Sequence, residues 1–156
     1  MLTDPVSLAT VGGGIALAGG VIGSAIGIAI AASAGTATLS QDHTQFRNVI
    51  ILASIPMSQT FYGLIVLILI LTAVIPGLPS TGCSGFAVLG CAVISALAFL
   101  ISAAWKGNVC ASGIALLSKT KGQILINALM LAVFVELIAV LGLVFTIMAL
   151  TILGLM

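Results

Sequence analysis

Residues 123–156 read QILINALMLAVFVELIAVLGLVFTIMALTILGLM, an apolar run with one formal charge, Glu136, near its middle. A helix of roughly 20 apolar residues crosses a bilayer core, so this run predicts a membrane span. Working outward, the rest of the chain repeats the pattern. Its formal charges are Asp4, Asp42, Arg47, Lys106, Lys119, Lys121 and Glu136, with His43 as the one histidine. No charge falls between Asp4 and Asp42, nor between Arg47 and Lys106. Water-soluble domains carry about a quarter charged residues against 4% here, so the surface faces lipid.

Polar punctuation divides the chain into four segments. The first runs from about Val6 to Leu39 and ends at Ser40-Gln41-Asp42-His43-Thr44-Gln45. The second runs from about Asn48 to Ile75 and is closed by Pro76-Gly77-Leu78-Pro79-Ser80-Thr81-Gly82. A third spans about Ser84 to Leu117 and stops at Ser118-Lys119-Thr120-Lys121-Gly122; the last begins at Gln123. All exceed what a bilayer core requires, which predicts tilt or projection beyond it. Met1 to Thr10 lack the basic region of a cleavable signal peptide, so the first helix is expected to stay in the mature protein. Arg47, Lys119 and Lys121 then put loops one and three in the cytoplasm, with the termini and loop two opposite.

The expected fold is all-α, with four transmembrane helices arranged as two tandem parallel-repeat hairpins, residues 1–78 and 79–156. Ser24-Ala25 through Gly35 to Leu39-Ser40 aligns with Ser102-Ala103 through Gly113 to Leu117-Ser118 at an offset of 78. Gly63-Leu64-Ile65 aligns with Gly142-Leu143-Val144 at an offset of 79. Gly19, Gly23, Gly27, Ala31 and Gly35 recur every four residues, as do Ala103, Gly107, Ala111 and Ala115. That spacing predicts small-residue faces on the odd helices, where backbones approach closely, and the bulkier even helices suit an outer wall. Cys83, Cys91 and Cys110 form no CxxC pair and are expected to pack as small buried thiols. A net charge of +1 gives no case for a nucleic-acid partner.

Glu136 and Lys106 are the only formal charges deep inside a segment. At 1.5 Å per residue both lie roughly 20 Å from loop three, hence at similar depth on facing helices. A mid-bilayer charge costs about 2.5–3.5 kcal/mol on insertion scales, so neither is expected to be idle. Burial disfavours the carboxylate, so a protonated Glu136 faces lipid at low cost while polar contacts favour the anion. That is the chemistry of a proton or cation carrier; pinning two helices together would need only a glutamine. Lys106 is expected as a counter-ion, as a side chain snorkelling to a boundary, or as a neutral amine. Ser58, Gln59 and Tyr62 share one region of the second helix, just after Pro56, which removes a backbone hydrogen bond. They supply oxygen ligands for a sodium ion or a protonated carboxyl.

Taken together, Val135-Glu136 with Gly142, Ile55-Pro56 and Ser58-Gln59 with Tyr62-Gly63, and the glycine-rich first helix resemble one family. The chain is similar, over essentially its whole length, to the proteolipid rotor-ring subunit of V-type and A-type rotary ATPases in its duplicated form. The resemblance implies identical subunits assembled in a ring that turns against a stator membrane subunit. It implies central-stalk subunits meeting loops 40–47 and 118–122, with H+ or Na+ as the transported ion and no cofactor. The subunit itself hydrolyses nothing, and the chain has no GxxxxGK[ST] phosphate loop.

The resemblance also implies an ion site of Glu136, Ser58, Gln59 and the Ile55 carbonyl, with Tyr62 hydrogen-bonding the glutamate. Sodium, if carried, would sit at Glu136, Gln59 and Ser58. The repeat sets Met57 opposite Glu136, which leaves one ion site per four helices and favours a pump over a synthase. Sodium-binding members have a glutamine where this chain has Lys106. An ammonium 4 Å from sodium costs ~4 kcal/mol at an effective dielectric of 20, about a thousandfold in affinity. Lys106 therefore turns away, is neutral, or belongs to a proton-carrying ring, the last being preferred. A small secondary transporter using a buried Lys106–Glu136 pair is the alternative, and a structural membrane scaffold a third reading.

Overall fold

The computed structural model describes residues 4–79 and 83–156. Among them are four helices long and apolar enough to cross a membrane: α1 Pro5–Gln41, α2 His43–Gly77, α3 Ser84–Thr120 and α4 Leu125–Ile152. The helical ends lie a few residues beyond the expected ones at both ends of α1 and α2 and at the C-terminal end of α3, and α4 starts two residues later. Residues Ser80-Thr81-Gly82 of the second loop lie outside the described set, as do Met1 to Thr3. At 1.5 Å per residue, α1 and α3 are each about 55 Å long, so both outrun a hydrocarbon core of roughly 30 Å.

The polar punctuation works through specific caps. Asp42 takes an extended conformation (φ −147°, ψ 97°) that breaks the helix, and its backbone N–H still donates to the Thr38 carbonyl. Its carboxylate accepts from the Thr44 backbone N–H (3.0 Å) and hydroxyl (2.6 Å), starting α2 one residue later. Loop one is therefore a single-residue break; Ser40 and Gln41 remain helical. At the other hairpin, Lys121 (φ 50°) and Gly122 (φ 84°) adopt the left-handed conformation that ends α3.

α2 is the irregular helix. It tightens to a 3-10 turn at Ile55–Met57, around Pro56, and again at Ile75–Gly77, around Pro76. A widened π turn occupies Ile70–Val74 between them. Proline cannot donate to the carbonyl four residues back, so the α ladder cannot continue through either position.

α1 and α3 are in the most extensive contact; α2 packs on α1 and α4 on α3, while α1 and α4 approach least. Small residues permit the inner pairing. A Cβ on Gly107 would strike the Gly27 backbone, and one on Gly27 would strike the Ala103 carbonyl. On α1 the stripe is buried throughout, but its partner changes along its length. Gly19 and Gly23 meet Ala96 and Leu100 of α3, Gly27 meets α3 and Pro56 of α2, and Gly35 meets Val49 of α2. Four residues overshoot a full turn by about 40°, so the stripe winds from one neighbour to the other. α3 departs from expectation: Ala103 and Gly107 are buried, Ala111 is half-buried and Ala115 is exposed. Its buried line moves to Cys110, Gly113, Ile114 and Leu117, because the same rotation carries Ala115 off the contact.

Two buried apolar clusters fill the interior. One includes Val66, Ile70, Val88, Phe99 and Leu150. The other includes Val49, Leu52, Ile114, Leu117 and Ala128, towards loops one and three. Between them lies a buried polar layer of Ser24, Gln59, Ser102 and Lys106. Cys91 and Cys110 are buried as expected, but Cys83 is exposed because it precedes α3 at its N-terminal end.

Candidate functional site

The polar layer converges on Glu136 of α4, whose side chain is 21% exposed at the edge of the bundle. Just beyond Pro56, α2 presents Ser58, Gln59 and Tyr62 towards α3 and α4. Tyr62 Oη donates to Glu136 Oε1 at 2.8 Å. The Tyr62 ring leans on Phe99, with centroids 6.1 Å apart and planes at 51°, which sets the direction of the hydroxyl.

Lys106 of α3 reaches the same oxygen. Its Nζ lies 3.4 Å from Glu136 Oε1 and donates to Ser58 Oγ at 2.7 Å, and the side chain has no exposed surface. Of the three arrangements expected from sequence, turning away is therefore excluded. An ion pair at this depth follows from the cost of leaving either charge alone in a low-dielectric interior.

Ser58 links the remaining groups. Its hydroxyl faces the Ile55 carbonyl at 3.2 Å and Gln59 Oε1 at 3.1 Å, with one proton to give. Gln59 is fully buried and its Nε2 lies 3.4 Å from Ser102 Oγ. Ser102 in turn donates to the Val135 carbonyl at 2.7 Å, next to Glu136. The fold thus brings Glu136, Tyr62, Lys106, Ser58, Gln59 and Ile55 into one connected cluster. Tyr62 and Lys106 touch the carboxylate; Ser58, Gln59 and Ile55 are joined to it through Lys106 and each other.

Ser102 is the member that sequence reasoning missed. Its signal lay in the repeat, where it aligns with Ser24. The two serines make equivalent bonds, since Ser24 Oγ donates to the Pro56 carbonyl at 2.8 Å. A second equivalence involves Gly35 against Val49 and Gly113 against Ala128, at the same offsets. Met57, aligned with Glu136, is 47% exposed. An exposed charge-free side chain thus occupies the position at which the second hairpin carries its carboxylate.

Comparison with known proteins gives two findings. The family model for the ATP synthase C subunit matches residues 11–70 and, separately, residues 89–149. The A-type ATP synthase K subunit of Methanocaldococcus jannaschii is 36% identical over 70 residues, covering 45% of this chain. That match spans 32%, about a third, of the relative's own length.

Proposed function

The chain belongs to the ATP synthase C-subunit family, and from that premise we propose that it is a rotor-ring subunit of an A/V-type ATPase that carries H+ or Na+ on Glu136. The observation that carries this reading is the setting of Glu136. It is the only acidic residue within the four spanning helices, it lies at the edge of the bundle, and Tyr62 and Lys106 hold one of its oxygens. A carboxyl so placed exchanges an ion with one environment, passes along lipid in a neutral state, and releases the ion in another. Identical copies form the ring, and a stator membrane subunit supplies the two access paths. The two-fold match of the family model supports reading residues 1–78 and 79–156 as successive hairpins, with one ion site between them. Loops 40–47 and 118–122 carry Arg47, Lys119 and Lys121 and are the surfaces offered to the central stalk on the cytoplasmic side.

The test is Glu136→Gln in the assembled complex. ATP-driven ion transport is expected to vanish while the subunit still runs as a large ring in mild detergent. Transport that persists in this variant would overturn the proposal. A subunit that runs as a monomer and moves a solute through the Lys106–Glu136 pair would favour the secondary transporter instead.

A further inference from the structure

Resting on the rotor-ring reading, we propose that Lys106 decides which ion the site accepts: its ammonium fills the cation position beside Glu136, so the ring carries protons and excludes sodium.

Three observations combine. First, the ammonium is in the place a metal ion would need. Nζ lies 2.7 Å from Ser58 Oγ and 3.4 Å from Glu136 Oε1. These are two of the three residues a sodium ion would use, and the third, Gln59, meets the same Ser58 hydroxyl through Oε1. Second, the remaining oxygens are engaged with one another. The Ile55 carbonyl and Gln59 Oε1 both face Ser58, and Tyr62 Oη is given to Glu136. Sodium binds through a shell of hard oxygen ligands, and here two of those oxygens already hold the Lys106 nitrogen. Third, the ammonium has nowhere to go. Lys106 has no exposed surface, and its helix is locked against α1 where Gly107 meets the Gly27 backbone.

A proton meets the same like charge but not the lack of space or of free oxygen ligands. It adds to a carboxylate oxygen, needs no coordination shell and takes no extra volume. Sodium would have to sit within about 4 Å of a fixed like charge, which at an effective dielectric of 20 weakens binding by roughly a thousandfold. Lys106 is thus a specificity-determining residue, tethered where a free cation would otherwise bind.

The experiment compares wild type, Lys106→Gln and Lys106→Met in the assembled complex. Carbodiimide labelling of Glu136 at fixed pH is followed with and without sodium, alongside radioactive sodium retained by the purified ring. In wild type, sodium should neither slow labelling nor be retained. In the variants it should do both, with the protecting concentration falling by roughly a thousandfold for Lys106→Gln. Sodium protection or retention in wild type overturns the proposal without need of any variant. Absence of sodium binding in both variants, while Glu136→Gln abolishes ATP-driven transport, overturns the role of Lys106 and leaves the rotor reading standing. Transport that survives Glu136→Gln overturns the rotor reading and this proposal with it.

Discussion

Ser24 and Ser102 occupy equivalent positions in the two hairpins and make the same bond, each donating its hydroxyl to a carbonyl on the helix that follows. Ser24 Oγ reaches Pro56 O at 2.8 Å, and Ser102 Oγ reaches Val135 O at 2.7 Å. The residue after each carbonyl differs in chemistry: Met57 in one hairpin, Glu136 in the other. The chain keeps the same interhelical clamp twice and the carboxylate once.

That pairing separates stability from function. Ser24→Ala and Ser102→Ala each remove one interhelical hydrogen bond, and each is expected to cost about 0.5–1.5 kcal/mol. Thermal unfolding of the purified ring should therefore fall for both. Only Ser102→Ala should also change the rate at which carbodiimide labels Glu136, because Ser102, unlike Ser24, meets Gln59 and the carbonyl next to Glu136.

Tyr62→Phe keeps the ring against Phe99 and removes the one hydroxyl that donates to Glu136. A hydrogen bond to a charged group is worth about 1.5–3 kcal/mol, so the anion loses that support and the protonated form gains. Labelling of Glu136 at neutral pH should quicken by about tenfold or more. An unchanged rate would show that the hydroxyl does not hold the carboxylate in the working ring.

Gly107→Val places branched carbon where the Gly27 backbone already lies. Neither backbone can yield without separating α1 from α3, so the variant is expected to give no folded ring on detergent extraction. Gly77→Ala serves as the contrast, since a Cβ there meets nothing within 4 Å in the subunit. Its stability should lie within about 0.5 kcal/mol of wild type.

At the end of α3, Lys121 holds φ 50° and Gly122 φ 84°. A left-handed L-residue costs about 1–2 kcal/mol, so Lys121→Gly should recover roughly half to all of 1 kcal/mol. Gly122→Ala should destabilise by more than that penalty, because its Cβ would also crowd Asn48 Nδ2 at 2.8 Å. Opposite shifts in the thermal midpoint of the two variants are the check.

Loop one carries a pH dependence of defined sign. Hydrogen bonds from the Thr44 side chain, then its backbone and Gln45, hold the Asp42 carboxyl below the ordinary value of 3.8. A depressed folded value means the carboxylate stabilises the turn above the unfolded value, and that support is lost as pH falls through the folded one. The protection factor of the Thr44 amide, its intrinsic exchange rate over the observed one, should fall on acidification below about 3.8 in wild type. In Asp42→Ala protection should be low at every pH.

The four apolar runs and their breaks determine the fold class, because lipid requires every backbone polar group to be satisfied within a helix. Glu136 and Lys106 were legible for the same reason: a charge in such a run is too costly to be accidental. Tyr62, Ser58 and Gln59 could be read from their helical spacing after Pro56. What only the tertiary structure decides is direction. Spacing cannot say that Lys106 points inward to Ser58 and Glu136, since a long side chain on a helix can reach either a boundary or the interior. Nor can it say that Ser102 closes the network through Val135, because a serine's partner depends on which backbone lies opposite. The small-residue stripe marks the same limit. Its spacing on α1 and α3 is alike, yet on α1 the stripe stays buried from Gly19 to Gly35 while Ala115 of α3 is exposed. Periodicity assigns residues to a face of a helix; the neighbouring helices determine how far along its length that face stays covered.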